Sequence, residues 1–233
     1  MTSKVPLRYV PLNVNDFDNV VPSRTDIPKW YKDTPRYLSE LPVKDARKFI
    51  KSYKACPPFL EAMTVGYLIT TSYDLVVAIN EFGNPDISWL EGNKIIGVRD
   101  KSLQVNFPTP YGHHDVHFLW MTPASLVVPR GYSILLTQPL NRVELPFTTL
   151  SGVVDGGYAL AKDGGFPFFL KKDFEGVIPQ GTPVLQAIPF KNEHWVSKKD
   201  PSLKDEAELN DHKTLSVLEG WYKNTFWTKK QYD

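Results

Sequence analysis

Cysteine is nearly absent. Cys56 stands alone in 233 residues, so no intrachain disulfide can form, which suits a reducing compartment. An excess of either charge is also missing. The net charge is +1, so the whole chain lacks the strong basic field of a general nucleic-acid or anionic-membrane binder. No run of about eighteen apolar residues exists, and no transmembrane helix is predicted. The opening MTSKVPLRYVPLN has no apolar core, which predicts no signal peptide and no secretion. No internal repeat or low-complexity tract is present.

Proline is plentiful, at 20 residues, and aromatics reach 13%. Both favour strands and loops over long helices. Residues 1–55 read as an arm, with Pro6, Pro11, Pro22, Pro28, Pro35 and Pro42 interrupting it. Short helices are expected at Ile27–Lys32 and Lys44–Ser52. Cys56–Leu60 reads as a turn, and Cys56 has no base beside it in sequence, so it reads as an inert thiol. Glu61–Ile69 reads as a short helix running into a strand.

Residues 56–196 carry the β pattern. Strands are expected at Thr70–Ile79, from Ile87, at Lys94–Val98, Leu103–Phe107 and Tyr111–Trp120. Further strands are expected at Tyr132–Thr137, Phe147–Val154, Phe166–Leu170, Gly176–Ile178 and Val184–Phe190. Short strands at this spacing without intervening helices indicate a sandwich or barrel. In Tyr111–Trp120, period two places His113, Asp115 and His117 on one face, with neighbours about 7 Å apart. Two imidazoles and a carboxylate are suitable ligands for a first-row metal; they equally suit a solvated face.

Residues 197–233 form a third segment. Ser197–Asp211 has eight Lys, Asp or Glu among its fifteen residues and reads as a solvated helix or linker. Lys213–Asn224 has helical spacing. The aromatic end, Phe226 to Tyr232, predicts docking onto the chain itself or a partner.

Four stretches, Ser72–Leu75, Val128–Gly131, Gly152–Tyr158 and Gly181–Ala187, occur in an order that resembles the motif order of the dUTPase and dCTP deaminase superfamily. Ser72-Tyr73-Asp74-Leu75 is similar to its Ala-Gly-Tyr-Asp-Leu, and Val128-Pro129-Arg130-Gly131 to its Leu-Pro-Pro-Gly. Gly152-Val153-Val154-Asp155-Gly156-Gly157-Tyr158 is similar to Gly-Val-Ile-Asp-x-x-Tyr, and Gly181 to Ala187 to Gly-Asp-Arg-Ile-Ala-Gln-Leu. The resemblance implies a mainly β, β-clip or jelly-roll-like barrel with an N-terminal arm and a C-terminal helical extension, assembled as a homo-oligomer, with a trimer favoured. As an enzyme it would use Asp155 and Tyr158 in catalysis, Arg142, Gln186 and Gly152 in nucleotide binding, and Asp74 for Mg²⁺.

The phosphate-binding parts depart from that pattern. No Ser-Gly follows Arg142, Thr182-Pro183 replaces Asp-Arg, and no glycine-rich C-terminal motif is found. A triphosphate needs aimed donors and cations. The retained residues also have roles in the fold: turn glycines, a turn-capping Asp155 and a buried Tyr158. The phrases CPPFLEAMTVGYLI and FEGVIPQGTPVLQAIPFK are similar to an uncharacterised family of tailed phages and bacteria. The expected function is thus a non-catalytic assembly module, as a virion structural protein for capsid decoration, neck or tail, working with other virion proteins. Its place is the virion or the host cytoplasm, and no cofactor is expected. The alternatives are a Mg²⁺-dependent deoxynucleoside triphosphate hydrolase or nucleotide-binding protein, and a cupin-like metal oxygenase at His113, Asp115 and His117.

Overall fold

The computed structural model describes residues 4–11, 18–38, 50–90, 94–121, 124–155, 165–216 and 221–233. The elements begin with β1 (Arg8–Pro11), β2 (Val20–Pro22), α1 (Lys29–Asp33), β3 (Tyr37–Leu38), β4 (Ile50–Lys51) and α2 (Pro57–Thr64). They continue with β5 (Tyr67–Thr70), β6 (Leu75–Ile79), β7 (Pro85–Ser88), β8 (Ile96–Val98), β9 (Phe118–Met121), β10 (Ala124–Val127) and β11 (Tyr132–Thr137). The last are β12 (Phe147–Thr149), β13 (Gly152–Asp155), β14 (Gly165–Leu170), β15 (Gly176–Ile178), β16 (Pro183–Lys191), α3 (Lys204–Ser216) and α4 (Trp221–Thr225).

Contacts group the chain into two units. One comprises 1–27, 62–192 and Tyr232; the other 28–61, 193–231 and Asp233. The first unit is mainly β and jelly-roll-like, and its described ladders are all antiparallel. Its sheets run β13-β11-β16-β5-β2, β12-β14-β9-β8 and β15-β6-β7, with a β1-β10 ribbon. The second unit holds the β3-β4 pair and the C-terminal helices.

β16 joins two cores. Val184 packs with Leu75, Trp120, Phe147 and Phe168 in one. Its neighbours Leu185 and Ala187 pack with Ile69, Leu126, Ile134 and Leu136 in the other. A strand buried on both faces needs an almost continuous apolar run, and Pro183–Ala187 supplies it around one polar residue, Gln186. In the first core Trp120 stacks on Phe168 at 3.7 Å between centroids and meets Phe147 edge-on at 4.9 Å. The Trp120 indole N–H donates to Thr149 Oγ1 at 2.9 Å, and that hydroxyl donates to Val184 O at 3.0 Å.

Two expected strands are each divided. Thr70–Ile79 breaks after Thr70 because β5 pairs with β16 while β6 pairs with β15 in another sheet. Phe147–Val154 breaks at Leu150–Ser151 for the same reason: β12 pairs with β14 and β13 with β11. Leu103–Phe107 is not a strand. A 3₁₀ turn at Lys101–Gln104 replaces it, capped by Asp100, whose carboxylate accepts from Ser102 N at 2.7 Å. The Cys56–Leu60 turn is instead the start of α2, since prolines in a first helical turn sacrifice no hydrogen bond. The helix expected at Lys44–Ser52 ends in strand β4, and its residues 44–49 lie outside the described residues.

Candidate functional site

Arg142 heads the arrangement that the motif order points to. It follows Asn141, whose positive φ of 60° turns the chain after Pro139-Leu140. The Arg142 side chain is largely buried. Its Nη1 donates to Asp26 Oδ2 at 3.0 Å and Asp26 O at 3.2 Å, and its Nε donates to Glu144. A cavity of about 350 Å³ opens beside it, lined by Asp26, Arg142, Glu144, Phe174 and the turn Pro179–Pro183, among others. Asp74 reaches the same turn: its Oδ1 accepts from Gln180 N at 2.7 Å. Gln180 Nε2 donates to Ser72 O at 2.9 Å, so Ser72–Leu75 is clamped to the turn that leads into Gly181–Ala187.

Gln186 is fully buried. It accepts from Leu140 N at 2.8 Å and donates to Ala62 O and Val65 O at 2.9 and 2.7 Å. Three backbone groups engage its amide, both N–H donors included, and it fixes the loop that carries Arg142. Gly152 pairs with Leu136, and a Cβ there would stand 3.3 Å from the Phe166 ring. Asp155 ends β13 and is exposed. The Ser133 hydroxyl lies 2.9 Å from Asp155 Oδ1 and from Asn192 Oδ1, so its single proton serves one at a time. Asp155 does not line the Arg142 cavity. Tyr158 lies outside the described residues.

His113, Asp115 and His117 are not brought together. The expected strand at Tyr111–Trp120 begins only at Phe118, and His113 makes an isolated bridge to Lys171. The ring nitrogens of His113 lie 2.9 Å from Tyr111 O and Thr148 Oγ1. Asp115 pairs with Lys101 at 2.9 Å. That hydrogen bond holds its carboxyl below the usual carboxylate range. His117 is buried, with its ring stacked on Phe169 at 4.9 Å and on Phe107 at 5.9 Å. Burial, then Arg99, pushes its pKa down.

Among the described residues no group of three or more His, Cys, Asp or Glu comes together as a metal site. Asp74 is the single carboxylate on the Gln180 turn, and Asp26 and Glu144 are taken by Arg142. A Mg²⁺ ion held mainly by water and substrate phosphates would call on no more protein than that one carboxylate. Asp26 and Glu144 are the residues that sequence reasoning missed. Glu144 sits two positions from Arg142, but no residue pattern ties Asp26 to it across 116 positions.

No protein-family model matches the chain, and no curated protein matches it. Solved structures similar over part of it include two dUTPases. A mutant dUTPase from phage phi11 of S. aureus, described with a structural Mg(II) ion, is 15% identical, with 59% of this chain and 83% of that chain covered and a TM-score of 0.29. The native EIAV dUTPase is 12% identical, with 58% and 87% covered and a TM-score of 0.28.

Proposed function

We propose that this chain is a non-catalytic assembly module, and that it serves as a structural protein of a bacteriophage virion in capsid decoration, neck or tail. In this reading residues 1–55 and 197–233 are extensions that contact neighbours, and the 56–196 body forms a homo-oligomer, with a trimer favoured. The observation that carries the non-catalytic part is the Asp26–Arg142–Glu144 cluster. Arg142 is the cation among the residues lining the cavity, and two carboxylates already engage it. The three together carry a net charge of −1, which repels a triphosphate rather than neutralising it. Exposed apolar side chains at Val98, Leu103, Val105 and Phe107 support an assembly role. The phage context is supported by the sequence phrases quoted above.

Sedimentation velocity tests the proposal. The full chain is expected to sediment as an oligomer, and deletion of 197–233 is expected to weaken it. A monomeric full chain, or a truncated chain with unchanged sedimentation, counts against it. Incubation with a panel of deoxynucleoside triphosphates and Mg²⁺ is expected to give neither turnover nor a thermal shift. Turnover would instead favour the second reading, a divergent nucleotide hydrolase. That reading is supported by the clamp joining Asp74 to the Gln180 turn that lines the Arg142 cavity.

A further inference from the structure

The chain's net charge of +1 conceals a separation. Residues 28–61 carry eight Lys or Arg against four Asp or Glu, a net of +4, which leaves −3 on the rest. The same 34 residues contain six aromatics: Trp30, Tyr31, Tyr37, Phe49, Tyr53 and Phe59. Four of them form one column within the second unit. Tyr53 stacks on Phe59 with centroids 5.2 Å apart and planes 25° apart, and Phe59 stacks on Tyr31 at 6.2 Å and 16°. Trp30 closes the inner end edge-on to both Tyr31 and Phe59.

The two ends of the column differ. Tyr31 is buried, while Tyr53 is 69% exposed. Tyr53 stands in a 3₁₀ turn fixed by Ser52, whose hydroxyl accepts from Lys54 N at 3.2 Å and donates to Pro35 O. Ser52 N donates to Arg36 O at 3.1 Å. The exposed ring is therefore held on rigid backbone with its outer face in water. Lys51 precedes this turn and is exposed, as are Lys32 and Arg36. Lys54 folds inward, its amine donating to Lys32 O at 2.6 Å.

A stack of rings ending in an open face accepts one more flat, polarizable ring at little ordering cost, and nearby ammonium groups neutralise phosphates. We propose that Tyr53, with the exposed Lys51 and Lys32 on the segments tied to its turn, is a contact site for single-stranded nucleic acid. An unpaired base stacks on the outer face of Tyr53 and the flanking phosphates lie against the basic side chains. A duplex keeps its base faces covered and does not offer this contact. The inference rests on different observations from the assembly reading above.

Fluorescence anisotropy of the full chain with labelled 12-nucleotide oligo(dT), oligo(rU) and a duplex of equal length tests it. Saturable single-strand binding at low salt is expected, weaker for the duplex; the two single strands show whether DNA or RNA is preferred. Tyr53→Ala should weaken binding about tenfold, and Tyr53→Phe should retain it. Lys51→Gln should lower the slope of log K against log salt by about 0.7. Absence of binding, equal affinity for the duplex, or an unchanged affinity in Tyr53→Ala overturns the proposal. Because Tyr53 lies in the 1–55 arm assigned above to neighbour contacts, sedimentation of Tyr53→Ala is measured in parallel; if the oligomer is weakened, the salt slope of Lys51→Gln decides the proposal.

Discussion

Gln186 shows how a side chain that looks like part of a binding motif can be consumed by the fold. Its carbonyl and amide satisfy Leu140 N, Ala62 O and Val65 O from two separate stretches of chain. Gln186→Leu would leave these groups without a partner in the interior. At about 1–3 kcal/mol for each stranded group, with partial relaxation, we expect a loss of roughly 3 kcal/mol, read as a lower midpoint in urea denaturation. An unchanged midpoint would show that Gln186 does not hold these loops. Arg142 makes a related point. The sequence singled out the guanidinium, and the structure sets it beside a cavity. Its partner Asp26 was invisible, because an ion pair across 116 residues leaves no local periodicity, spacing or turn signal to read.

At the scale of elements, alternation was legible and sheet membership was not. In β6, Leu75 and Val77 are buried while Val76 and Ala78 are exposed, the period-two alternation of a half-buried strand. β11 and β15 span the expected residues. The divided strands Thr70–Ile79 and Phe147–Val154 were not legible, since an apolar run does not say which neighbour each half will pair with. β2 also went unread: three residues in a proline-rich arm give too short a pattern, yet β2 completes the five-stranded sheet along β5. The entry to β5 depends on Gly66, with φ +72°; a Cβ there would lie 2.1 Å from Ala187 O. Gly66 O also accepts from Ser23 N at 3.0 Å. Gly66→Ala must therefore shift backbone on β16 as well as strain its own. We expect destabilisation on the order of 3 kcal/mol, measured by thermal denaturation. A variant as stable as the parent would mean that this approach is not fixed.

The whole chain is near neutrality at pH 7, so its acid response should be set by groups that the fold keeps uncharged. His114 and His117 are two such groups. Burial, then Lys172, lowers the pKa of His114, and burial, then Arg99, lowers that of His117. Asp115, close in sequence to both, is engaged by Lys101, while Phe107 and Phe169 cover the His117 ring without charge. In the unfolded chain both imidazoles take up protons near pH 6.5; the folded chain resists until lower pH. The unfolded state then binds more protons, so stability falls as pH drops below about 6.5. The carboxylates with depressed pKa, such as Asp115, act in a separate and more acidic window, below about 3.8. The melting temperature should be flat above pH 7 and decline toward pH 5, and His117→Phe, which keeps the stack, should flatten that decline. An identical decline in the variant would remove His117 from the account. The double duty of β16 has a further consequence for how such perturbations spread. Because Val184 and Leu185 are adjacent on one rigid strand yet belong to opposite cores, neither core has a boundary along which it could loosen alone. Damage on one side becomes slack on the other, and the β unit behaves under stress as one body with one point of failure.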